Sequence, residues 1–149
     1  QTAEYLQSDY LQEYELLVKR NSSEIVQDKV NTIRIMVKIE AMQEFHDQEL
    51  LSKLEKYHIW NEKYVNMRMN YNPKKPMKAL LLRVYKLPQP ISIEVNPEWA
   101  GCKSWIDIEF TSKYGNQYEN ISELLNQSVP VIKDKDFHKI HDNFTEIWN

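Results

Sequence analysis

The fold is decided by an apolar stretch, ALLLRVYKLPQPISIEV (residues 79–95). Its first half is almost continuously apolar, which is typical of a strand in the centre of a sheet. Pro88 and Pro90 interrupt the stretch, because proline cannot donate a backbone hydrogen bond to a neighbouring strand. Apolar and polar residues alternate again from Ile91 to Val95. The pattern predicts a central strand that is kinked at the prolines or turns the corner of a small barrel.

Two other segments show the two-residue period of a strand. In residues 30–45 the apolar positions are Ile33, Ile35, Val37, Ile39 and Ala41, and β-branched side chains dominate among them. We expect a long half-buried strand with these residues on its inner face. In residues 106–110 the alternating apolar positions are Ile106, Ile108 and Phe110, which predicts a shorter strand.

Helical spacing of apolar residues predicts five helices around these strands. They cover residues 3–19, a segment that begins near Asp47, a segment capped by Asn61 that runs to Tyr71, residues 121–127 and residues 134–148. The order of elements predicts a single α+β domain over residues 1–149, with a small mixed or antiparallel sheet and flanking helices. The same strands could equally close into a small barrel.

Composition excludes several classes of site. Only two of the 149 residues are glycine, whereas phosphate-binding loops, dinucleotide fingerprints and nucleophile elbows need clustered glycines. The single cysteine, Cys102, excludes a disulfide within the chain and a cysteine-rich zinc site. No apolar run is long enough to span a membrane and no signal peptide opens the sequence, so we expect a cytoplasmic protein. We expect no bound cofactor.

Positive charge is concentrated in one segment although the net charge is −3. The basic segment, residues 63–86, contains seven Lys and Arg side chains and no acid: Lys63, Arg68, Lys74, Lys75, Lys78, Arg83 and Lys86. Interleaved tyrosines could stack on bases while the cations contact phosphates. The alternative is a solvated loop and strand edge. Arg83 lies within the apolar strand, so we expect it either to have a partner or to line a cleft, and Asp107 and Glu109 are reasonable partners.

The expected binding surface extends from this segment to two tryptophans that flank Gly101 and could frame a pocket for a flat ligand. The predicted binding residues are Arg68, Lys74, Lys75, Arg83, Tyr85, Trp99, Lys103 and Trp105. The expected partner is RNA, DNA or a nucleotide. Packing of the tryptophans in the core is the competing interpretation.

Signals for catalysis are weaker. Asp107 and Glu109 alternate on one predicted strand, as the acids of a metal-dependent nuclease do, but no lysine stands two positions after Glu109. His58 and Lys103 complete the catalytic candidates. His138 and His141 are three apart on a predicted helix, yet they point in different directions, so no metal site is predicted. We lean towards a protein that is not an enzyme.

Several strings resemble a known bacterial family: HIWNEKYV (residues 58–65), LLLRVYKLPQP (80–90), EWAGCKSWID (98–107) and PVIKDKDF (130–137). Together they are similar to the family called domain of unknown function 1802. The resemblance covers most of residues 1–142 and supplies no activity. It implies that family members carry several dozen residues before the position of Gln1, so we expect the N-terminal part to be missing here.

The order of elements is also similar to that of PUA-like barrels, which include domains that bind RNA or modified bases. This analogy of fold does not by itself establish a function. The leading hypothesis is a nucleic-acid or nucleotide-binding module that uses residues 63–86. The alternatives are a protein-interaction or structural module without a small ligand, and a metal-dependent hydrolase or nuclease.

Overall fold

The computed structural model describes residues 2–22, 30–99, 105–108 and 120–149. Within these ranges the helices and strands are, in chain order, α1 Ser8–Ser22, β1 Val30–Phe45, α2 Glu49–Leu54, α3 Glu62–Tyr71, β2 Met77–Glu94, α4 Ile121–Gln127, β3 Val129–Pro130 and α5 Asp134–Glu146. Short 3₁₀ turns cover Thr2–Tyr5, Glu55–Tyr57 and Pro97–Trp99. The mixture of helices with a sheet confirms the predicted α+β class.

The described strands form an open three-stranded antiparallel sheet in the order β1-β2-β3. Residues 79–94 of the apolar stretch lie in the central strand, β2, as predicted. Tyr85 stands opposite Pro130 and Lys86 opposite Val129, so β3 pairs with only a short part of β2. A closed barrel is not seen among the described strands.

Pro88 and Pro90 do not interrupt β2, which continues through both to Glu94. In a strand, the N–H and C=O of one residue point to the same side, and successive residues alternate. The carbonyl of Val84 accepts a hydrogen bond from Val131 N–H at 2.9 Å, so even-numbered residues of β2 face the side of β3. The described pairing with β3 ends at Lys86, and the prolines lie beyond it, where no β3 carbonyl requires a donor.

Two other strand predictions need correction. Trp105–Ile108 is not a strand, and the rest of the predicted strand, residues 109–110, lies outside the described residues. In β1, the predicted inner face is largely open to solvent: Ile35, Val37 and Ile39 are exposed, and Ile33 is only half-buried. Alternation of apolar and polar residues identifies β1 as a strand. It does not predict whether other described segments pack on the apolar face of that strand.

The chain divides into two compact units. The first contains Gln1–Val26, Ala41–Leu81 and Asp142–Asn149. Its buried apolar side chains come from every one of these segments: Leu6, Phe45, Leu54, Val65, Leu81 and Phe144. The Trp148 ring lies 5.6 Å from that of Phe45 and 5.7 Å from that of Phe144, measured between centroids, so the C-terminus is packed onto the end of β1.

The second unit contains Gln27–Glu40 and Leu82–His141. Its core is a cluster of four buried residues, Leu87, Ile91, Ile93 and Leu124, with Ile33, Met36 and Trp99 packed against it. Three of the four come from β2, which presents alternate residues to the core. Leu124 closes the cluster from α4, where Ser128 ends the helix by donating its hydroxyl to the Leu124 carbonyl at 2.7 Å.

Candidate functional site

Helix α3 is the element on which the candidate sites of the first unit are built. Its N-cap is Asn61, as predicted, whose Oδ1 accepts the Tyr64 N–H at 3.1 Å. The Asn61 Nδ2 also donates to the carbonyls of Glu4 and Leu6. From the other direction, the Gln7 amide donates to three carbonyls of residues 55–60. These bonds fix the start of α3 and the turn that precedes it.

Three of the seven cations in the basic segment already have anionic partners. In the first unit, Lys63 pairs with Glu4 at 3.1 Å and Lys78 pairs with Glu44 at 2.9 Å. The hydrogen bond and the charge of Lys63 hold the pKa of the Glu4 carboxyl below its ordinary value of 4.5. A paired lysine has less to offer a phosphate, so the surface open to an anion is smaller than the sequence suggests.

Arg83, the third paired cation, belongs to the second unit and is only 3% exposed. Its Nη2 donates to the carboxylate of Asp134, the first residue of α5. This corrects the expected pairing with Asp107; the other expected partner, Glu109, lies outside the described residues. The guanidinium also lies 4.3 Å from the centre of the Phe137 ring. Arg83 thus joins β2 to α5 and is not presented to solvent.

Three exposed cations of the basic segment, Arg68, Lys74 and Lys75, lie at the end of α3 and in the turn that leads to β2. We call Arg68, Tyr71, Lys74 and Lys75 the turn patch. The Tyr71 side chain is 80% exposed, and the guanidinium of Arg68 lies 5.4 Å from its ring centre. Lys74 and Lys75 are exposed, and the Lys75 N–H closes the turn by donating to the Asn72 carbonyl at 2.9 Å.

The remaining predicted binding residues fall in the second unit or outside the described ranges. Trp99 packs against the core cluster, as the competing interpretation held. Tyr85 is half-buried, with the Arg83 guanidinium 5.8 Å from its ring centre. Trp105 is 85% exposed, whereas Lys103 and Cys102 lie outside the described residues.

The predicted catalytic residues also lie in different units or outside the described residues. His58 belongs to the first unit and Asp107 to the second, while Glu109 and Lys103 lie outside the described part of the chain. Within the described ranges, no group of three or more His, Cys, Asp or Glu side chains is arranged to hold a metal ion.

A cleft of about 520 Å³ lies in the first unit against α2 and α3. We call it the acidic cleft, because three glutamates and no lysine or arginine are among its lining residues. Its full lining is Gln48, Glu49, Leu51, Ser52, Glu55, His58, Trp60, Glu62, Val65 and Asn66. Of these, only His58 is among the site residues predicted from the sequence.

His58 is held as a neutral imidazole in this cleft. Its Nδ1 accepts the Trp60 N–H at 3.2 Å, so the proton of the neutral ring is on Nε2. Burial lowers the pKa of His58 below its ordinary value of 6.5, against the smaller opposite effect of the Glu55 charge. The Trp60 ring stacks on Tyr64, with centroids 4.5 Å apart and an angle of 28° between the planes.

One signal of the cleft is present in the sequence. Glu49, Ser52 and Glu55 are spaced three residues apart across α2 and the following 3₁₀ turn, a spacing that places side chains on one side of a helix. Lys53 and Lys56 line a separate hollow together with residues of the C-terminus. The acidic and the basic side chains of residues 49–56 therefore lie on different sides of this segment.

Comparison with known protein families gives a match over most of the chain. Residues 1–143 match the family described as Domain of unknown function (DUF1802), which confirms the resemblance seen in the sequence. No curated protein and no solved structure matches the chain significantly. Of the helices in the described ranges, none is both long enough and apolar enough to cross a membrane.

Proposed function

We propose that this chain, which belongs to the DUF1802 family, binds single-stranded nucleic acid through the turn patch. The proposal rests on the geometry of its own side chains. The observation that carries the proposal is Tyr71, an aromatic ring 80% exposed at the end of α3 and accompanied by three cations. A large aromatic side chain left in solvent gains nothing from burial in the fold. Its ring is available to a ligand.

Arg68, Lys74 and Lys75 supply the charge that such a ligand needs. Lysine and arginine contact phosphates without regard to sequence, and an exposed aromatic ring stacks on a base at roughly 1–3 kcal/mol. The Arg68 guanidinium, 5.4 Å from the Tyr71 ring centre, is placed to accompany a stacked nucleotide. A single strand suits this patch because its bases are free to stack on a side chain.

The proposed surface is narrower than the sequence predicted. Lys63, Lys78 and Arg83 are excluded from it because each already contacts a carboxylate, and Trp99 because it packs in a core. Only the order of elements supports a likeness to PUA-like barrels, because the described strands form an open sheet and not a closed barrel.

The test measures binding of fluorescently labelled single-stranded RNA and DNA oligonucleotides by anisotropy at low salt. We expect Tyr71→Ala to weaken binding about fivefold or more, because the stacking contribution is lost. Lys74→Gln combined with Lys75→Gln should weaken it further. Lys63→Gln is the matched control, since it removes the same charge from α3 at a position paired with Glu4.

The control variant should bind within about twofold of the unmodified chain, because the removed lysine is already paired. Equal affinity of the unmodified chain and the Tyr71→Ala variant would show that the turn patch is not the binding surface. Circular dichroism of each variant confirms that the fold is kept.

A further inference from the structure

We propose that the acidic cleft is a second binding site, independent of the turn patch, and that it takes an organic ammonium group. Its volume of about 520 Å³ falls within the range of small-molecule pockets. Two side chains give it an apolar wall, Leu51 and the buried Val65. An apolar wall with a few convergent polar groups is the usual composition of such a site.

The sign of the charge selects the ligand. Glu49, Glu55 and Glu62 come from α2, the 3₁₀ turn and α3, so three separate elements each contribute a glutamate to the lining of one cleft. No cation among the lining residues offsets them, and His58 is neutral. An anionic ligand is repelled from such a cleft, whereas a cation is attracted.

The spacing of the acids argues for an organic cation over a metal ion. A metal needs several oxygens or nitrogens within about 2–2.6 Å of one point. The described side chains of the cleft include no group of three that could hold a metal ion. Three glutamates that line one cleft without forming such a group suit a larger cation, which carries its charge on a carbon skeleton.

Trp60 provides a surface for that skeleton. Indole is the aromatic side chain that attracts cations most strongly, and it also covers apolar methylene groups. Stacking on Tyr64 and the hydrogen bond to His58 hold the Trp60 backbone and ring in one position before a ligand arrives. A ring that is already ordered loses little conformational entropy on binding.

The hydrogen bonds within the cleft leave acceptors for the ligand. The Gln48 Nε2 donates to the Asn66 Oδ1 at 2.8 Å, and the Ser52 hydroxyl donates to the Glu49 carbonyl at 2.7 Å. These donors are occupied by the protein itself, while carboxylate oxygens accept only. Of the three glutamates, Glu62 already accepts one hydrogen bond, from Asn66 Nδ2 to its Oε1 at 3.5 Å. A primary ammonium group, with three N–H donors, complements this lining.

The experiment is titration calorimetry of the full chain with three probes: cadaverine, Nα-acetyl-lysine methylamide and magnesium chloride. The first two present a free amine and a lysine side chain. We expect Glu55→Gln and Glu62→Gln each to weaken amine binding about twofold to fivefold, and the double variant about tenfold. Glu13→Gln, which removes an exposed acid from α1, is the matched control and should bind as the unmodified chain does.

Each outcome decides the proposal. Binding of cadaverine alone supports it with a free amine as the ligand, and binding of both organic probes supports it with a lysine side chain of a partner as a further source. No measurable heat with either organic probe at millimolar concentration would overturn it. Magnesium binding as tight as amine binding would also overturn it, as would unchanged affinity in the Glu55→Gln, Glu62→Gln double variant.

Discussion

Arg83 is a buried cation whose partner is not buried. Its own side chain is 4% exposed, whereas that of Asp134 is 80% exposed. The Nη2 of Arg83 is bonded to Asp134, but its buried Nη1 has no hydrogen-bond partner among the described atoms. The ring of Phe137, 4.3 Å from the guanidinium, is the other favourable contact. Because a buried charge is costly when unpaired, Asp134 determines whether Arg83 is tolerated in β2.

Removing the Asp134 side chain should therefore destabilise the fold more than removing the side chain of Asp136, which lies on the same helix turn. We expect Asp134→Ala to lower the free energy of unfolding by about 1–2 kcal/mol, between the values of exposed and fully buried pairs. Asp136→Ala, which loses only its interaction with the dipole of α5, should lose less than about 0.5 kcal/mol. Urea unfolding of both variants measures the difference. Equal losses would mean that the Arg83–Asp134 pair contributes nothing.

His58 makes stability depend on pH in the mildly acidic range. Burial lowers its pKa in the folded chain below the ordinary 6.5, so the unfolded chain binds more protons between the two values. The free energy of unfolding therefore falls as pH drops through this window, and the contribution of His58 is fully present only above about pH 6.5.

The variant His58→Asn removes the titration while it keeps an acceptor for the Trp60 N–H. Between about pH 7.5 and about pH 5.5, urea unfolding should show a smaller loss of stability in this variant than in the unmodified chain. A variant that loses as much stability as the unmodified chain contradicts the role given to burial.

At the scale of elements, the two asparagine caps have unequal roles. The Asn120 Oδ1 accepts the Glu123 N–H at 3.0 Å and starts α4. Asn61 caps α3 in the same way and also donates to two carbonyls near the N-terminus. We expect Asn120→Ala to lower the free energy of unfolding by about 1 kcal/mol. Asn61→Ala should lower it by about 2–3 kcal/mol, since this variant also loses two further hydrogen bonds.

Aspartate at each position separates the two effects, because it keeps the capping oxygen and removes the amide donors. Asn120→Asp should be close to neutral, whereas Asn61→Asp should still lose about 1–2 kcal/mol of unfolding free energy. Thermal or urea unfolding of the four variants is the measurement. Similar losses at Asn61 and Asn120 would show that the two additional bonds of Asn61 are not significant.

The elements that the sequence predicted are those with a strong local signal. Alternation from Val30 to Phe45 identified β1, and the cap residue Asn61 identified the start of α3. β3 was missed because Val129–Pro130 is too short to show a period, and it exists only by pairing with Tyr85 and Lys86. The partner of Arg83 was missed because Asp134 is 51 residues away in sequence.

The sites were less predictable than the elements, because side chains from distant segments form them. The charge of the turn patch is visible in the sequence, since Arg68, Lys74 and Lys75 lie within eight residues. The exposure of Tyr71 is not visible in the sequence, because tyrosine is intermediate between the residue types that are mostly buried and those that are mostly exposed. The acidic cleft needed the packing of α2 against the turn before α3, which no local pattern specifies.

At the scale of the whole molecule, a net charge of −3 opposes the approach of a polyanion. Binding of nucleic acid then depends on local positive charge, such as that of Arg68, Lys74 and Lys75 in the turn patch. Neutralising one phosphate of a single strand contributes about −0.7 to the slope of log affinity against log salt concentration. The three cations of the turn patch therefore predict a slope of about −2, whereas all seven cations of the basic segment would give about −5.

The anisotropy titrations proposed above measure this slope when they are repeated at several salt concentrations. Lys74→Gln should reduce the magnitude of the slope by about 0.7, because one phosphate contact is lost. Lys63→Gln should leave it unchanged, since Glu4 already neutralises that lysine at 3.1 Å. A slope near −5 in the unmodified chain would mean that nucleic acid displaces the carboxylates from Lys63, Lys78 and Arg83, and that the binding surface covers the whole basic segment.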